Sequence, residues 1–259
     1  MFASPAQRTF RETIVWRLVA AFPFLAMLAW GIFDYYDRRT FDPVLWGFIL
    51  FFLGLFVFAC LWGAKRRITI HQEGISYVSL TGETDLAWGE ILETRYSQQP
   101  MNVGAHFGLL GLLISSIFSK GDSMTRSLKV AGARTISISA NIRDAREAIK
   151  VVLERVNPRL RQEAEHLLGS GGSVAFGNIS LSPQGVIWKA ADLIPYNAIV
   201  KCRLDGAKLR IKAEGKWLDN IAVSPGRVPN VFVLMDMIES RRTTTGSAPM
   251  VGSSAGLYL

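Results

Sequence analysis

Three regimes of hydrophobic patterning succeed one another along the chain. Leu18 to Phe33 and Pro43 to Ala64 are almost continuously apolar, and from Ile68 onward short alternating runs take over. The second apolar run, P-V-L-W-G-F-I-L-F-F-L-G-L-F-V-F-A-C-L-W-G-A, holds 22 residues without a charge. About 20 suffice to cross the hydrocarbon core of a bilayer. Trp46 and Trp62 stand near its ends, where amphipathic rings prefer the interface, and Lys65, Arg66 and Arg67 follow at once. The first run has 16 residues and reaches spanning length with Val15, Trp16 and a snorkelling Arg17. Pro23 inside it predicts a kink.

Charge sets the orientation. Arg8, Arg11 and Arg17 precede the first run, and the connector Asp34 to Asp42 holds two arginines and three aspartates. Six cations therefore flank the outer ends and two lie in the turn, which predicts a hairpin with both termini cytoplasmic. The expected spans are about 15–34 and 43–64, within an anchor segment 1–67. Trp30 to Tyr36 is bulky where a cleaved leader needs small residues, so the anchor is expected to stay attached. A mean hydropathy of +0.23 fits a chain partly embedded in lipid. The net charge of +8 suits an anionic partner surface.

Beyond Arg67 the strands come in similar pairs. Ile68 to His71, then Gln72-Glu73-Gly74, then Ile75 to Val78 reads as a hairpin closed at a glycine. Ile179 to Ser182, then Pro183-Gln184-Gly185, then Val186 to Trp188 reads the same way, 111 residues later. Leu86-x-Trp88-x-x-Ile91 is echoed by Ile194-x-Tyr196-x-x-Ile199. Apolar positions at helical spacing follow each set: Ile142, Ala145, Ala148, Ile149, Val152 and Leu153 predict a helix over 141–156. Val231, Leu234, Met235 and Ile238 predict another over 228–242. Asn157-Pro158 predicts the start of a separate helix to Leu168, and Gly169 to Ser173 reads as a flexible linker.

These residues resemble bacterial pleckstrin-homology-like (PH-like) domains, in which a Gly-closed hairpin and a W-x-x-I strand precede a C-terminal helix. The resemblance covers roughly 68–242. It implies a membrane-anchored α+β protein: a two-helix transmembrane hairpin, then two PH-like small β-barrel or sandwich units in tandem, each capped by a C-terminal helix. The implied divisions are a first domain over 68–157 with an apolar insertion at 103–120, a helix and linker over 158–173, a second domain over 174–242 and a disordered tail over 243–259. It further implies a binding or scaffold role at a bacterial inner membrane, multi-pass, facing the cytoplasm. Lipid-binding pleckstrin domains usually place cations in the first hairpin loop, and neither His71-Gln72-Glu73-Gly74 nor Ser182-Pro183-Gln184-Gly185 has a lysine or arginine.

Two stretches are candidate contact sites. Ile199 to Ala213 folds about an Asp205-Gly206 turn. Alternation puts Lys201, Arg203, Lys208, Arg210 and Lys212 on one face, with Val200, Cys202, Leu204, Leu209 and Ile211 inward. That face suits anionic headgroups, the competing view being an ordinary solvated surface. Its lack of interleaved aromatics argues against single-stranded nucleic acid. The insertion V-G-A-H-F-G-L-L-G-L-L-I-S-S-I-F-S-K presents Phe107, Leu109, Leu110, Leu112, Leu113, Ile114, Ile117 and Phe118. It is too short to span and is expected to contact the bilayer, the hairpin or a partner, including a second copy, the competing view being a buried core segment.

Chemistry is sparse by comparison. Cys60 and Cys202 make neither a disulfide framework nor a zinc site, and His71, His106 and His166 lack ligand spacing. No phosphate loop or H-E-x-x-H occurs. No enzyme, cofactor or metal is therefore expected. The expected partners are the lipid bilayer, anionic headgroups and a protein. The alternative role is an accessory subunit of a membrane transport or envelope-maintenance complex.

Overall fold

The computed structural model describes residues 6–13, 15–38, 42–79, 82–100, 124–189, 192–215 and 220–245. These form two compact units. One contains 1–87 with 141–144, and the other 88–140 with 145–259.

The first unit opens with strand β1 (Ala6–Arg11), which leads into helices α1 (Val15–Arg38) and α2 (Pro43–Lys65). Asp42 caps α2 by accepting from the Val44 and Leu45 amides at 2.9 and 3.4 Å, and Pro43 occupies the first turn, where its missing N–H costs nothing. The two helices pack closely at Gly31, where any Cβ would stand 2.4 Å from Ile49. Phe24 and Phe56 stack nearby, with ring centroids 6.0 Å apart. Strands β2 (Arg67–His71), β3 (Gly74–Ser79) and β4 (Gly82–Ala87) follow, in an antiparallel sheet ordered β1-β2-β3-β4. Ile68, Ile70, Ile75 and Leu86 form its buried face. Residues 141–143 close on β1: Thr13 and Arg143 donate their amides to the carbonyls of Asn141 and Arg11 at 2.7 and 2.8 Å.

The second unit holds three more antiparallel sheets. The first is β5 (Glu93–Pro100), β6 (Met124–Ala131) and β7 (Thr135–Ile138). The second runs β11-β10-β9-β8, comprising Val174–Phe176, Ile179–Ser182, Gly185–Trp188 and Asp192–Pro195 in chain order from β8. The third is β12 (Ile199–Asp205), β13 (Lys208–Ala213) and β14 (Ile221–Val223). Helices α3 (Ala145–Gly169) and α4 (Val231–Thr245) complete the unit. Gly185 is obligatory, since a Cβ there would meet the Ile194 carbonyl oxygen at 2.2 Å.

Both expected hairpins form, and so do 3-10 turns at Trp88–Glu90 and Tyr196–Ala198. The expected architecture does not. The described chain has four helices and four separate small sheets, not a two-helix anchor followed by two helix-capped PH-like units. The reason lies in where the sheets are bound. β1–β4 belongs to the unit of α1 and α2, whereas β5–β7 belongs to the other. There Asn230, at the head of α4, is bonded to β5. It takes the Thr94 amide and hydroxyl on its side-chain oxygen at 2.7 and 3.1 Å and donates its own amide to the Thr94 carbonyl at 2.7 Å. The Tyr96 and Phe232 rings meet edge-on at 5.0 Å.

The anchor is corrected too. Among the described residues α2 alone has the length and apolarity to cross a membrane. The apolar stretch of α1 covers 16 residues, about 24 Å of helix against about 30 Å of hydrocarbon, and the helix ends in Asp34, Asp37 and Arg38. One candidate span does not make a multi-pass inner-membrane protein.

Pro158 does not divide α3. The buried stripe Ala148, Ile149, Val152, Leu153, Val156, Leu160, Ala164, Leu168 keeps its phase through the proline. Burial on both sides offsets the roughly 3 kcal/mol that an interior proline costs. Arg159 adds a tie by donating to the Ile91 carbonyl. The glycine-rich stretch after it closes the helix: Ser170, Gly171 and Gly172 each donate an amide back to its last turns at 3.1 Å, with Gly171 at φ +82.

Candidate functional site

The basic ribbon is assembled by the β12–β13 hairpin. Gly206 takes φ +57 in the turn, a conformation that glycine adopts without strain. The register sets Lys201 opposite Lys212, Arg203 opposite Arg210 and Asp205 opposite Lys208. Period-two alternation places all six side chains on one face. On the other face Leu209 and Ile211 are fully buried and Cys202 and Leu204 half-buried. Val200 departs from the expectation and is 51 % exposed. The register shifts between Ile199 and Lys201, so Val200 is the extra residue of a bulge.

Asp205 changes the electrostatics of the ribbon. Its Oδ2 lies 3.1 Å from Arg203 and 3.4 Å from Arg210. Like charges directly opposite in a sheet repel, and here a carboxylate sits between them. The turn residue that closes the hairpin thus neutralises the centre of the face. The lysines Lys201 and Lys208 stay exposed, and Lys212 is half-buried.

On the reverse side, burial pushes the Cys202 thiol up to about 12, with the Glu239 carboxylate adding to the rise and Arg242 opposing it. The Tyr196 hydroxyl donates to the Ser182 carbonyl at 2.8 Å, and burial raises its pKa against the opposing charge of Arg241. Among the described residues no three of His, Cys, Asp or Glu converge as a metal site. Asp85 is half-buried.

The second site is the outer face of α2. Val44, Phe48, Leu50, Phe51, Leu55, Val57, Phe58 and Leu61 are all exposed, from 46 % at Val57 to 67 % at Val44. At 100° per residue they cover about half of the helix circumference. Ile49, on the other half, faces α1. Leaving each of these groups in water forfeits about 1.5–3 kcal/mol. Eight of them, each about half exposed, together forfeit an amount of the same order as the whole stability of an ordinary fold, about 5–15 kcal/mol. Phe107, Leu109, Leu110, Leu112, Leu113, Ile114, Ile117 and Phe118 lie outside the described residues.

One grouping escaped sequence reasoning. Arg11 stands directly opposite Arg67 across β1 and β2, and Arg143 donates its amide to the Arg11 carbonyl at 2.8 Å. The backbone register thus sets arginines from three distant stretches side by side, with Arg67 two residues beyond the last residue of α2. Only the hydrogen-bonding register could have revealed this.

Residues 114–246, just over half of the chain, match DUF6585, a family of unknown function. No curated protein and no solved structure matches the chain.

Proposed function

We propose, for a chain that belongs to the DUF6585 family, that it is a non-catalytic binding protein tethered to a membrane by the single helix α2, with its β-rich remainder as the binding portion. The observation that carries this reading is the unbroken apolar outer face of α2. A helix of 23 residues is about 34 Å long, enough for the hydrocarbon core. Trp62 lies near its end, with the Arg66 guanidinium 5.1 Å from the ring, in keeping with an interfacial boundary. The ribbon of Lys201, Arg203, Lys208, Arg210 and Lys212 is a contact surface for anionic headgroups or an acidic protein face, weakened at its centre by Asp205.

The full-length protein should float with neutral phosphatidylcholine vesicles and resist extraction by alkaline carbonate. Leu50→Asp with Val57→Asp should abolish both, since each charge at bilayer depth costs about 2.5–3.5 kcal/mol. A wild-type chain that stays monodisperse in detergent-free buffer and does not float would overturn the reading.

A further inference from the structure

We propose that Arg11, Lys65, Arg67 and Arg143 form a collar at the C-terminal end of α2 that binds the phosphate groups of anionic phospholipids. The proposal rests on the reading of α2 as the membrane tether, and names what that end of the tether recognises.

The collar is a product of the fold. Lys65 is the last residue of α2, and Arg67 begins β2 two residues later. β1 brings Arg11 directly opposite Arg67, and the 2.8 Å hydrogen bond from the Arg143 amide to the Arg11 carbonyl adds the fourth cation. Arg11, Lys65 and Arg67 are exposed, and among the described residues none of the three has an ion-pair partner. The Arg143 pair with Asp144 is 3.8 Å long, with both side chains at least 71 % exposed, so solvent screens it.

Arg66 shows the contrast. Its guanidinium lies over Trp62 and pairs at 3.6 Å with Glu12, whose side chain is 8 % exposed. The buried carboxylate at this junction is thus engaged by Arg66 and does not neutralise the exposed cations. What remains is a like-charged pair, Arg11 and Arg67, held opposite one another by backbone register. Such a pair is destabilising unless an anion joins it. Guanidinium groups present forked donors that match phosphate geometry, and cations near an anionic membrane surface each contribute about fivefold in affinity. Bilayer lipid is the favoured source of the phosphate because the collar immediately follows the apolar helix.

The test uses the full-length protein in phosphatidylcholine bilayers doped with spin-labelled phosphatidylglycerol or spin-labelled phosphatidylcholine. The motionally restricted fraction of each label gives the lipid preference at the protein surface. Wild type should prefer the anionic label about fivefold or more, and high salt should erase the preference. Arg11→Gln, Arg67→Gln and Arg143→Gln together should reduce it to about parity while flotation on neutral vesicles is retained. Arg11→Lys with Arg67→Lys should keep most of it, which separates lost charge from lost fold. Failure of wild type to float sinks the tether reading. Normal flotation with no anionic preference, or with a preference that survives the glutamines, sinks the collar alone.

Discussion

Two cross-strand arginine pairs in this molecule differ in what lies beside them. Arg203 and Arg210 share the carboxylate of Asp205, at 3.1 and 3.4 Å. Arg11 and Arg67 share none among the described residues, and the nearby Glu12 is turned toward Arg66. The comparison teaches that a count of cations overstates a surface that carries its own counter-ion. The pair left uncompensated is the one predicted to seek an anion from outside.

The strongest way to break the comparison is to loosen the unit beneath the ribbon and ask whether the collar notices. Asn230 sits at φ 51, bonds Thr94 three times and accepts the Leu234 amide at 3.0 Å. Asn230→Ala removes a half-buried hydrogen-bonded group and strains the backbone, and should cost about 2–4 kcal/mol in urea unfolding. Asn230→Gly keeps the backbone and should cost less. The anionic-lipid preference of the collar should not change with either variant.

A smaller effect exchanges the two environments. Val78 lies opposite Arg67 on β3, in the same row as Arg11. Val78→Glu gives the collar the carboxylate that the ribbon has, and should cut its anionic-lipid preference about fivefold. Asp205→Asn does the reverse at the ribbon. It should tighten vesicle binding in proportion to anionic lipid content while lowering stability by about 0.5–1 kcal/mol.

The smallest effect concerns the reverse side of the ribbon. The Cys202 thiol is raised from 9.0 to about 12 in the folded chain. An acid whose folded pKa is raised keeps its proton in the native state after the unfolded state has lost it. Its contribution is therefore full below about pH 9 and is lost as pH rises toward 12. Thermal melts should fall across that interval, and Cys202→Ala should flatten the fall. Folded protein at pH 8 should leave Cys202 unalkylated by iodoacetamide until denatured.

Local signals were legible in the sequence because they are short-range. The glycine-closed hairpins at Gly74 and Gly185, the period-two face from Lys201 to Lys212, and the apolar length of α2 all follow from neighbours in the chain. The failures are all questions of partnership. Nothing in the alternation of β5 shows that Thr94 will be bonded to Asn230, 136 residues away. That bond puts β5 with α4, against the tandem-unit expectation. Pro158 carries a stop signal that buried residues on both sides override. The Val200 bulge is a register event, and the collar depends on a strand that lies on the far side of two helices in sequence. The six-to-two cation count around the expected hairpin read charge as topology, whereas Arg11 and Arg67 are brought together by pairing.

The most direct measurement compares the two arginine pairs in the same bilayer. Spin-label lipid preference is recorded for Arg11→Gln/Arg67→Gln and for Arg203→Gln/Arg210→Gln, each as full-length protein in phosphatidylcholine doped with labelled phosphatidylglycerol. The first variant should lose most of the anionic preference and the second should keep most of it, because Asp205 already satisfies its pair. Equal losses, or a larger loss at the ribbon, would contradict the account.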